Sequence, residues 1–342
     1  MVIDWNPPND WIRIKAIDAH AEGEPLRIIT EGFPRLEGNS ILEKRKYIQK
    51  NFDKLRTALM WEPRGHADMY GCVVTEPATP DGTLGVVFLH NEGYSTMCGH
   101  GIIALTTVVL ETGMIPLGKG DSTIRIDTPA GRVTAKARVT GNKVERVMFE
   151  NVPSFVYAIE QSASVPGLGE IRYDIAFGGA FYAFCRADEL GLNLVPDEFS
   201  KLVSAGRRIK KAVSEQLPVQ HPFEADLSFL YGTIFTGPPQ SKAHHSRNVC
   251  VFAEGEVDRS PTGTGVSARA ALLFAEGKIA RDEPFVVESI LGTHFTGKVV
   301  ATTTFGPYSA VIPEISGTAH ITGKNEHLID PTDPLKHGFF LR

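Results

Sequence analysis

The segment Tyr70-Gly71-Cys72-Val73-Val74-Thr75 recurs about 160 residues later as Tyr231-Gly232-Thr233-Ile234-Phe235-Thr236. Both segments have the apolar composition of short buried strands. Similarity at a fixed separation is typical of a duplicated structural unit. We therefore expect the chain to contain one unit twice, with further matching features around each of these segments.

The same succession of features follows each segment. A second apolar strand is predicted at 85–90 in the first copy and at 248–253 in the second. Each strand is followed by a glycine-rich turn, Cys98-Gly99-His100-Gly101 and Thr262-Gly263-Thr264-Gly265. Each turn is predicted to open a helix, so the two turns should occupy equivalent places in the two copies.

The two helices, predicted at 102–111 and 266–276, are apolar on nearly every side, which is typical of a helix buried in a core. Gly113 and Gly277 each follow the first residue of the preceding turn by 15 residues, at the place of a left-handed C-terminal cap. Equal spacing makes a chance resemblance between the two regions less plausible.

Segments of period-two hydrophobicity surround each central helix, and longer amphipathic helices are predicted at 39–60 and 196–217. No periodic structure is expected at 152–170, which contains two prolines and two of the chain's glycines. The predicted strands are 14–20, 25–30, 123–127, 131–139, 143–149, 172–177, 180–186, 285–289, 294–303 and 309–313. The predicted fold class is α/β (α+β), with two pseudo-symmetric halves that each curl a sheet around a helix.

We expect the first half to span 1–158 and to be completed by C-terminal strands at about 312–342, and the second to span 159–311. A length of 342 residues suits two such units. Lysine and arginine total 35 against 40 acidic residues, without a long single-sign run. This balance disfavours nucleic acid and membrane partners and favours a small-molecule ligand.

No apolar run reaches the roughly 18 residues of a spanning helix, and the first residues lack the layout of a secretory signal. A cytoplasmic location is therefore expected. The four cysteines show no Cys-x-x-Cys spacing, so neither a disulfide framework nor a zinc cluster is indicated.

The two turns should face one another across a cleft, where ligands commonly bind. Backbone N–H groups of Gly99, His100, Gly263 and Thr264 would point from two helix N-termini, each carrying roughly half a positive charge. This arrangement suits an anion such as a substrate carboxylate.

Cys98 lies at the N-terminal edge of the first helix, where the helix dipole is expected to lower its pKa into the range of about 3.5 to 7.5. A lone cysteine is more often a buried apolar residue, and this interpretation is kept for Cys72, Cys185 and Cys250. The glycine-rich turn and its repeated counterpart favour a reactive thiolate at Cys98.

Other polar residues leave two interpretations open. His100 could donate a hydrogen bond to a substrate or pack beside the turn, and Asp258 could bind a substrate ammonium or cap its own turn. The basic run Arg207, Arg208, Lys210 and Lys211 is most simply a solvated helix face.

Three blocks of the sequence resemble the proline racemase superfamily: Met97 to Gly101, Asp258 to Gly265, and Glu62 to Met69. The resemblance covers nearly the whole chain and implies a fold like that of diaminopimelate epimerase. It also implies that Gly99, His100, Gly263 and Thr264 hold the carboxylate of a cyclic imino acid, and that Asp258 holds its ring nitrogen. No metal or other cofactor is implied. The role of the third block stays open.

Racemases of this superfamily have cysteine at both signature positions, whereas this chain has Thr262 at the second. The combination of Cys98 and Thr262 resembles the trans-3-hydroxy-L-proline dehydratases, which form Δ1-pyrroline-2-carboxylate. The alternatives are a hydroxyproline 2-epimerase or proline racemase, and an imino-acid-binding protein without catalysis. A general cysteine hydrolase fits less well. We expect the protein to form a homodimer.

Overall fold

The computed structural model describes residues 5–118 and 120–341, which contain five α-helices and seventeen β-strands. The helices are α1 (Ile41–Asn51), α2 (Asp53–Met60), α3 (Gly99–Glu111), α4 (Phe199–Gln216) and α5 (Gly263–Ala275). The strands are β1 (Ile12–Ala21), β2 (Glu24–Glu31), β3 (Tyr70–Thr75), β4 (Leu84–His90), β5 (Ser122–Thr128), β6 (Gly131–Thr140), β7 (Lys143–Glu150), β8 (Ser154–Val165), β9 (Gly169–Phe177), β10 (Phe181–Arg186), β11 (Leu230–Gly237), β12 (Ser246–Phe252), β13 (Glu256–Val257), β14 (Phe285–Glu288), β15 (His294–Phe305), β16 (Tyr308–Gly317) and β17 (Ala319–Ile329).

The strands form one continuous hydrogen-bonded sheet that curls around two helices. Around α3, adjacent strands pair in the order β17, β1, β2, β3, β4, β5, β6 and β7. Around α5, the order is β8, β9, β10, β11, β12, β14, β15 and β16, and β16 pairs with β8 so that this part closes on itself. We call these two parts, with their helices, the α3 unit and the α5 unit.

Both central helices are buried because they are apolar on all sides. Every residue from Gly99 to Leu110 of α3 is buried, and α3 packs against β1, β2, β6, β7 and β17. Helix α5 packs in the same way against β8, β9, β15 and β16. The predicted fold class, a curled sheet around a central helix, is confirmed. No helix in the described part of the chain is both long and apolar enough to cross a membrane.

The C-terminal strand belongs to the α3 unit, because β17 pairs with β1 along its whole length, from Ile12 with Ile329 to Ala21 with Ala319. Strand β16 joins the units, since its residues 314–317 pair with β7 and its residues 310–311 pair with β8. The division into 1–158 and 159–311 stays a prediction, with residues 158 and 311 inside strands.

Two local predictions were wrong. The helix predicted at 39–60 is broken at Phe52, where a non-helical backbone with φ −134° and ψ 19° separates α1 from α2. The ring of Phe52 packs edge-on against Phe33 and Tyr47. The segment at 152–170, expected to lack periodic structure, contains the twelve-residue strand β8. Its pairing with β9 shifts register between Val156 and Gln161, and such bulges hide the period-two pattern in the sequence.

The N-termini of α3 and α5 abut through two glycines. A Cβ atom on Gly99 would lie 2.5 Å from the Cα of Gly263, and one on Gly263 would lie 2.6 Å from the Cα of Gly99. Only hydrogen atoms fit between the two backbones, so any other residue at either position would push the helices apart.

Gly99→Ala tests this contact. We expect it to lower the free energy of unfolding by roughly 1–3 kcal/mol, because an added methyl in a packed interior displaces its neighbours. Thermal or chemical unfolding measures the change. The control is Gly118→Ala, where the new Cβ would make only an ordinary contact of 3.6 Å with Ser122. Equal stability of the two variants would contradict the contact.

Candidate active site

Cys98 is the N-cap residue of α3 and has an extended backbone with φ −143° and ψ 110°. Its sulfur accepts a hydrogen bond from the backbone N–H of Gly101 at 3.2 Å. A Cβ atom at position 101 would lie 2.9 Å from this sulfur and 2.5 Å from the ring of Phe88. The glycine at 101 therefore allows the thiol to sit against the first turn of the helix.

Thr262 is the N-cap residue of α5, the place that Cys98 occupies on α3. Its backbone has φ +67°, a left-handed conformation that is unusual for a β-branched residue. Its hydroxyl faces the Asp258 carboxyl but makes no hydrogen bond of normal geometry in the described part of the chain. Strain of this kind is often found at functional sites.

One cavity brings together all seven residues that the sequence proposed for the site. Its volume is about 20 Å³, which is close to the space that a single water molecule needs. The enclosed state is therefore too small for an imino acid. The lining residues are Tyr70, Met97, Cys98, Gly99, His100, Tyr182, Tyr231, Phe252, Asp258, Thr262, Gly263 and Thr264.

The two abutting helix ends bring the positive ends of two helix dipoles to this cavity. The first N–H groups of each helix have no intrahelical acceptor, and Gly99 and Gly263 place these groups from both helices side by side. Two dipoles that converge at one point suit a small anion better than one dipole does. This geometry agrees with the carboxylate position that the sequence proposed, and the residue roles stay a prediction.

The thiol of Cys98 differs electrostatically from the expectation. Burial raises its pKa well above the ordinary value; the hydrogen bond from Gly101 opposes this, and the charges of Asp258 and Glu24 add to it. The prediction of a lowered pKa is therefore wrong for this enclosed cavity. The sequence predicted the position of Cys98 at the helix end and of Asp258 at the site, but it did not predict the burial of the thiol by aromatic rings or the nearby carboxyl group of Glu24.

His100 packs directly on the thiol, with its Nδ1 3.2 Å from the sulfur. Burial, together with the nearby charge of Arg259, lowers the pKa of His100 to about 3. The ring is consequently neutral, with one N–H to donate and one lone pair to accept. His100 is thus packed beside the turn and also lines the cavity, and a hydrogen bond from it to a substrate stays a prediction.

Asp258 also lines the cavity, and burial raises its pKa to about 6 while hydrogen bonds from Ser260 act in the opposite direction. The backbone N–H of Ser260 donates to its carboxylate at 2.7 Å. Asp258 therefore caps its own turn and at the same time lines the cavity, and its binding of a substrate ammonium stays a prediction.

A buried ion pair missed in the sequence supports the Asp258 turn. Arg259 contacts Glu24 at 2.9 Å and donates to the backbone carbonyl of Asp68 at 2.8 Å. The block from Glu62 to Met69, whose role was open, thus anchors this turn through Arg259. No local spacing pattern in the sequence signals such a long-range contact.

Aromatic residues form the other walls, and these too were missed. The hydroxyl groups of Tyr70 and Tyr231 lie 3.3 Å apart, and the hydroxyl of Tyr182 lies 2.6 Å from Oγ1 of Thr264. Tyr70 and Tyr231 open the two repeated segments, so the repeat carried a usable signal: equivalent residues of a duplicated unit meet near the axis that relates the copies.

The chain matches the family model described as proline racemase over residues 16–340. It is 48% identical over 341 residues to a trans-3-hydroxy-L-proline dehydratase of Colwellia psychrerythraea, covering 99% of this chain and 96% of that protein. It is 42% identical over 330 residues to a proline racemase of Clostridioides difficile, covering 96% and 98%.

A solved structure also resembles this one. The crystal structure of a hydroxyproline epimerase from Agrobacterium vitis with bound trans-4-hydroxy-L-proline superposes with a TM-score of 0.91 and 31% sequence identity. The match covers 98% of this chain and 96% of that chain. The resemblance to the proline racemase superfamily that the sequence motifs carried is confirmed.

The pH dependence of Cys98 alkylation tests the raised pKa. We expect the rate of reaction with iodoacetamide to rise with an inflection above the ordinary thiol pKa, because burial disfavours the thiolate. Asp258→Asn should move the inflection to lower pH, since it removes a negative charge that raises the pKa. Mass spectrometry assigns the modification to Cys98.

The control is Asp188→Asn, which removes the same charge from an exposed side chain outside the cavity. It should leave the inflection unchanged. An inflection below about pH 7.5, the upper end of the range expected for a helix-activated thiol, would contradict the raised pKa.

Proposed function

This chain belongs to the proline racemase family, and we propose that it removes water from trans-3-hydroxy-L-proline to give Δ1-pyrroline-2-carboxylate. The observation that supports the proposal most is a chemical difference between the N-cap residues of the two central helices. The N-cap residue of α3 is a cysteine and the N-cap residue of α5 is a threonine, and both line one cavity. One face of a bound ring would meet a thiol and the other an alcohol.

Substrate binding follows from the charges around the cavity. The two helix N-termini receive the carboxylate, and their dipoles also stabilise the enediolate-like charge that develops when the Cα proton leaves. Asp258 receives the secondary ammonium of the ring. A ligand with both charges would therefore fit the cavity in one orientation.

The chemistry requires one acid/base group. In trans-3-hydroxy-L-proline the Cα hydrogen and the 3-hydroxyl lie on the same ring face. The Cys98 thiolate takes the Cα proton and, as a thiol, returns it to the departing hydroxyl, so that water leaves and the thiolate is restored. The Cα–H and C3–O bonds break, a C2–C3 double bond forms, and the enamine then tautomerises to the cyclic imine.

A raised pKa at Cys98 is compatible with this role. It makes the thiolate scarce in the empty cavity but a strong base when it forms. The ammonium of the bound ring brings a positive charge close to the sulfur, which favours the thiolate. When the cavity closes around the substrate, the Cys98 thiolate would therefore form beside the Cα proton that it removes.

Thr262 argues against two-sided proton exchange. A threonine hydroxyl has a pKa far above that of a thiol, and the histidine in the cavity, His100, packs on the Cys98 side. Asp258 faces Thr262, but the proposal assigns its carboxylate to the ring nitrogen. Racemisation needs an acid on the face opposite the base, whereas dehydration on one face does not.

A product assay on trans-3-hydroxy-L-proline tests the proposal. We expect NMR to show Δ1-pyrroline-2-carboxylate, with no inversion of L-proline or trans-4-hydroxy-L-proline. Cys98→Ser should lower turnover by about 10²–10⁴-fold, which is the usual contribution of a general acid/base. Conversion of trans-4-hydroxy-L-proline to its epimer, or of L-proline to D-proline, would favour the epimerase or racemase alternative. Thermal stabilisation by these ligands without any turnover would favour the binding protein.

Thr262→Cys tests the asymmetry from the opposite direction. A second thiol completes a two-sided acid/base pair, so we expect the variant to exchange the Cα proton of L-proline with D2O and to form D-proline. The matched control Thr262→Ser keeps an alcohol and should gain neither reaction. Proton exchange in the serine variant equal to that in the cysteine variant would contradict the role proposed for Thr262.

A further inference from the structure

A second cavity of about 610 Å³ lies between the α3 unit and the α5 unit, next to the candidate active site. We call it the outer cavity. Its lining includes Arg45, His90 and Glu92 from the α3 unit and Lys210, Tyr231 and Glu254 from the α5 unit. Neither the sequence motifs nor the proposed chemistry uses Arg45, Glu92, Lys210 or Glu254.

The two cavities share a wall that contains Tyr231. Tyr231 lines both of them, and its hydroxyl lies 3.3 Å from that of Tyr70 in the inner wall. His90, in the outer wall, stacks on Tyr70 with 5.6 Å between ring centroids. A shift of these rings would join a space large enough for an imino acid to the space beside Cys98.

Arg45 is the unusual residue of the outer cavity. It is only 8% exposed, its Nε atom has no hydrogen-bond partner, and it takes part in no ion pair with a residue in the described part of the chain. Burial lowers its pKa, and the more distant Asp226 opposes this. A buried N–H group without a partner is costly, and an anion bound to the guanidinium would relieve this cost.

The neighbouring Arg56, unlike Arg45, has an ion-pair partner and hydrogen-bond acceptors. It also lines the outer cavity, but it pairs with Asp53 at 2.7 Å and donates to the backbone carbonyls of His90 and Asn91. Arg56 thus holds the structure together. Arg45, in contrast, is left with unused donors.

The charges around Arg45 indicate the class of anion. A guanidinium binds a carboxylate through two parallel hydrogen bonds, and Glu92 and Glu254 line the same cavity. Arg56 and Lys210 line it as well, so acidic and basic groups alternate around the cavity, and this mixture suits a ligand with both charges better than a dianion such as phosphate. A zwitterionic amino or imino acid satisfies both requirements.

We propose that the outer cavity is an entry site, in which Arg45 holds the carboxylate of the incoming imino acid before it passes Tyr231 and reaches Cys98. The identity of the ligand rests on the proposed function, whereas the path and the role of Arg45 rest on the two cavities. Lys210, which the sequence placed on a solvated helix face, borders this path and donates to the backbone carbonyl of Ala253.

Alkylation of Cys98 tests the entry site without any turnover. Iodoacetate carries a carboxylate, and iodoacetamide is its neutral counterpart. In Arg45→Met, we expect the ratio of the iodoacetate rate to the iodoacetamide rate to fall by roughly three- to tenfold, because the approaching carboxylate loses a charge-assisted hydrogen bond. The rate with iodoacetamide should stay the same. Arg45→Lys keeps the charge and should retain most of the preference.

The matched control is Lys50→Met, which removes a positive charge from an exposed position on the same helix and should leave the ratio unchanged. Melting temperatures establish that each variant is folded. An unchanged ratio in folded Arg45→Met, an equal loss of both rates, or no reaction of wild-type Cys98 with either reagent would overturn the proposal.

A kinetic measurement separates this proposal from the dehydratase assignment. With trans-3-hydroxy-L-proline, Arg45→Met should lower kcat/KM while kcat changes little, because Arg45 acts before the chemical step. Wild-type protein that fails to dehydrate this compound but shows the alkylation preference would overturn the dehydratase assignment alone. Turnover with an unchanged kcat/KM in the variant would overturn the entry site alone.

Discussion

The contact between the backbones of Gly99 and Gly263 is the constraint on which the rest of the site depends. Two helices meet end to end only because neither residue has a Cβ atom. Their approach brings the first N–H groups of both helices and both N-cap side chains to one small space. Each helix is mostly apolar and is enclosed by its curled sheet, so the fold and the geometry of the cavity come from the same pair of sequence patterns.

The two sides of the cavity match in secondary structure but differ in chemistry and in the backbone of the N-cap residue, which is extended at Cys98 and left-handed at Thr262. Equivalent positions hold Cys98 and Thr262 at the N-caps, while Tyr70 and Tyr231 remain identical and touch. The buried pair of Glu24 and Arg259 supports the Asp258 turn. The polar groups of the cavity thus lie on elements whose backbone positions are fixed by apolar packing.

Local patterns in the sequence predicted the strands, both central helices and the residues that line the cavity at the two turns, because these features are set by short-range periodicity and by glycine spacing. They did not predict β8, where a register shift breaks the alternation, or the break at Phe52, which depends on contacts with Phe33. The pKa of Cys98 and the isolation of Arg45 depend on residues distant in the sequence, and no pattern within one element carries that information.

The position of Asp258 makes the chemical asymmetry directional. It precedes Thr262 by four residues, and the corresponding position before Cys98 is Tyr94, whose hydroxyl donates to Asp53 outside the inner cavity. Under the proposed function, Asp258 of the α5 unit would hold the ring nitrogen and the two helix ends would hold the carboxylate of the substrate. These two attachments would turn one face of the ring toward Cys98 and leave the opposite face against the alcohol of Thr262. The orientation of the imino acid and the outcome of the reaction would then have one structural cause.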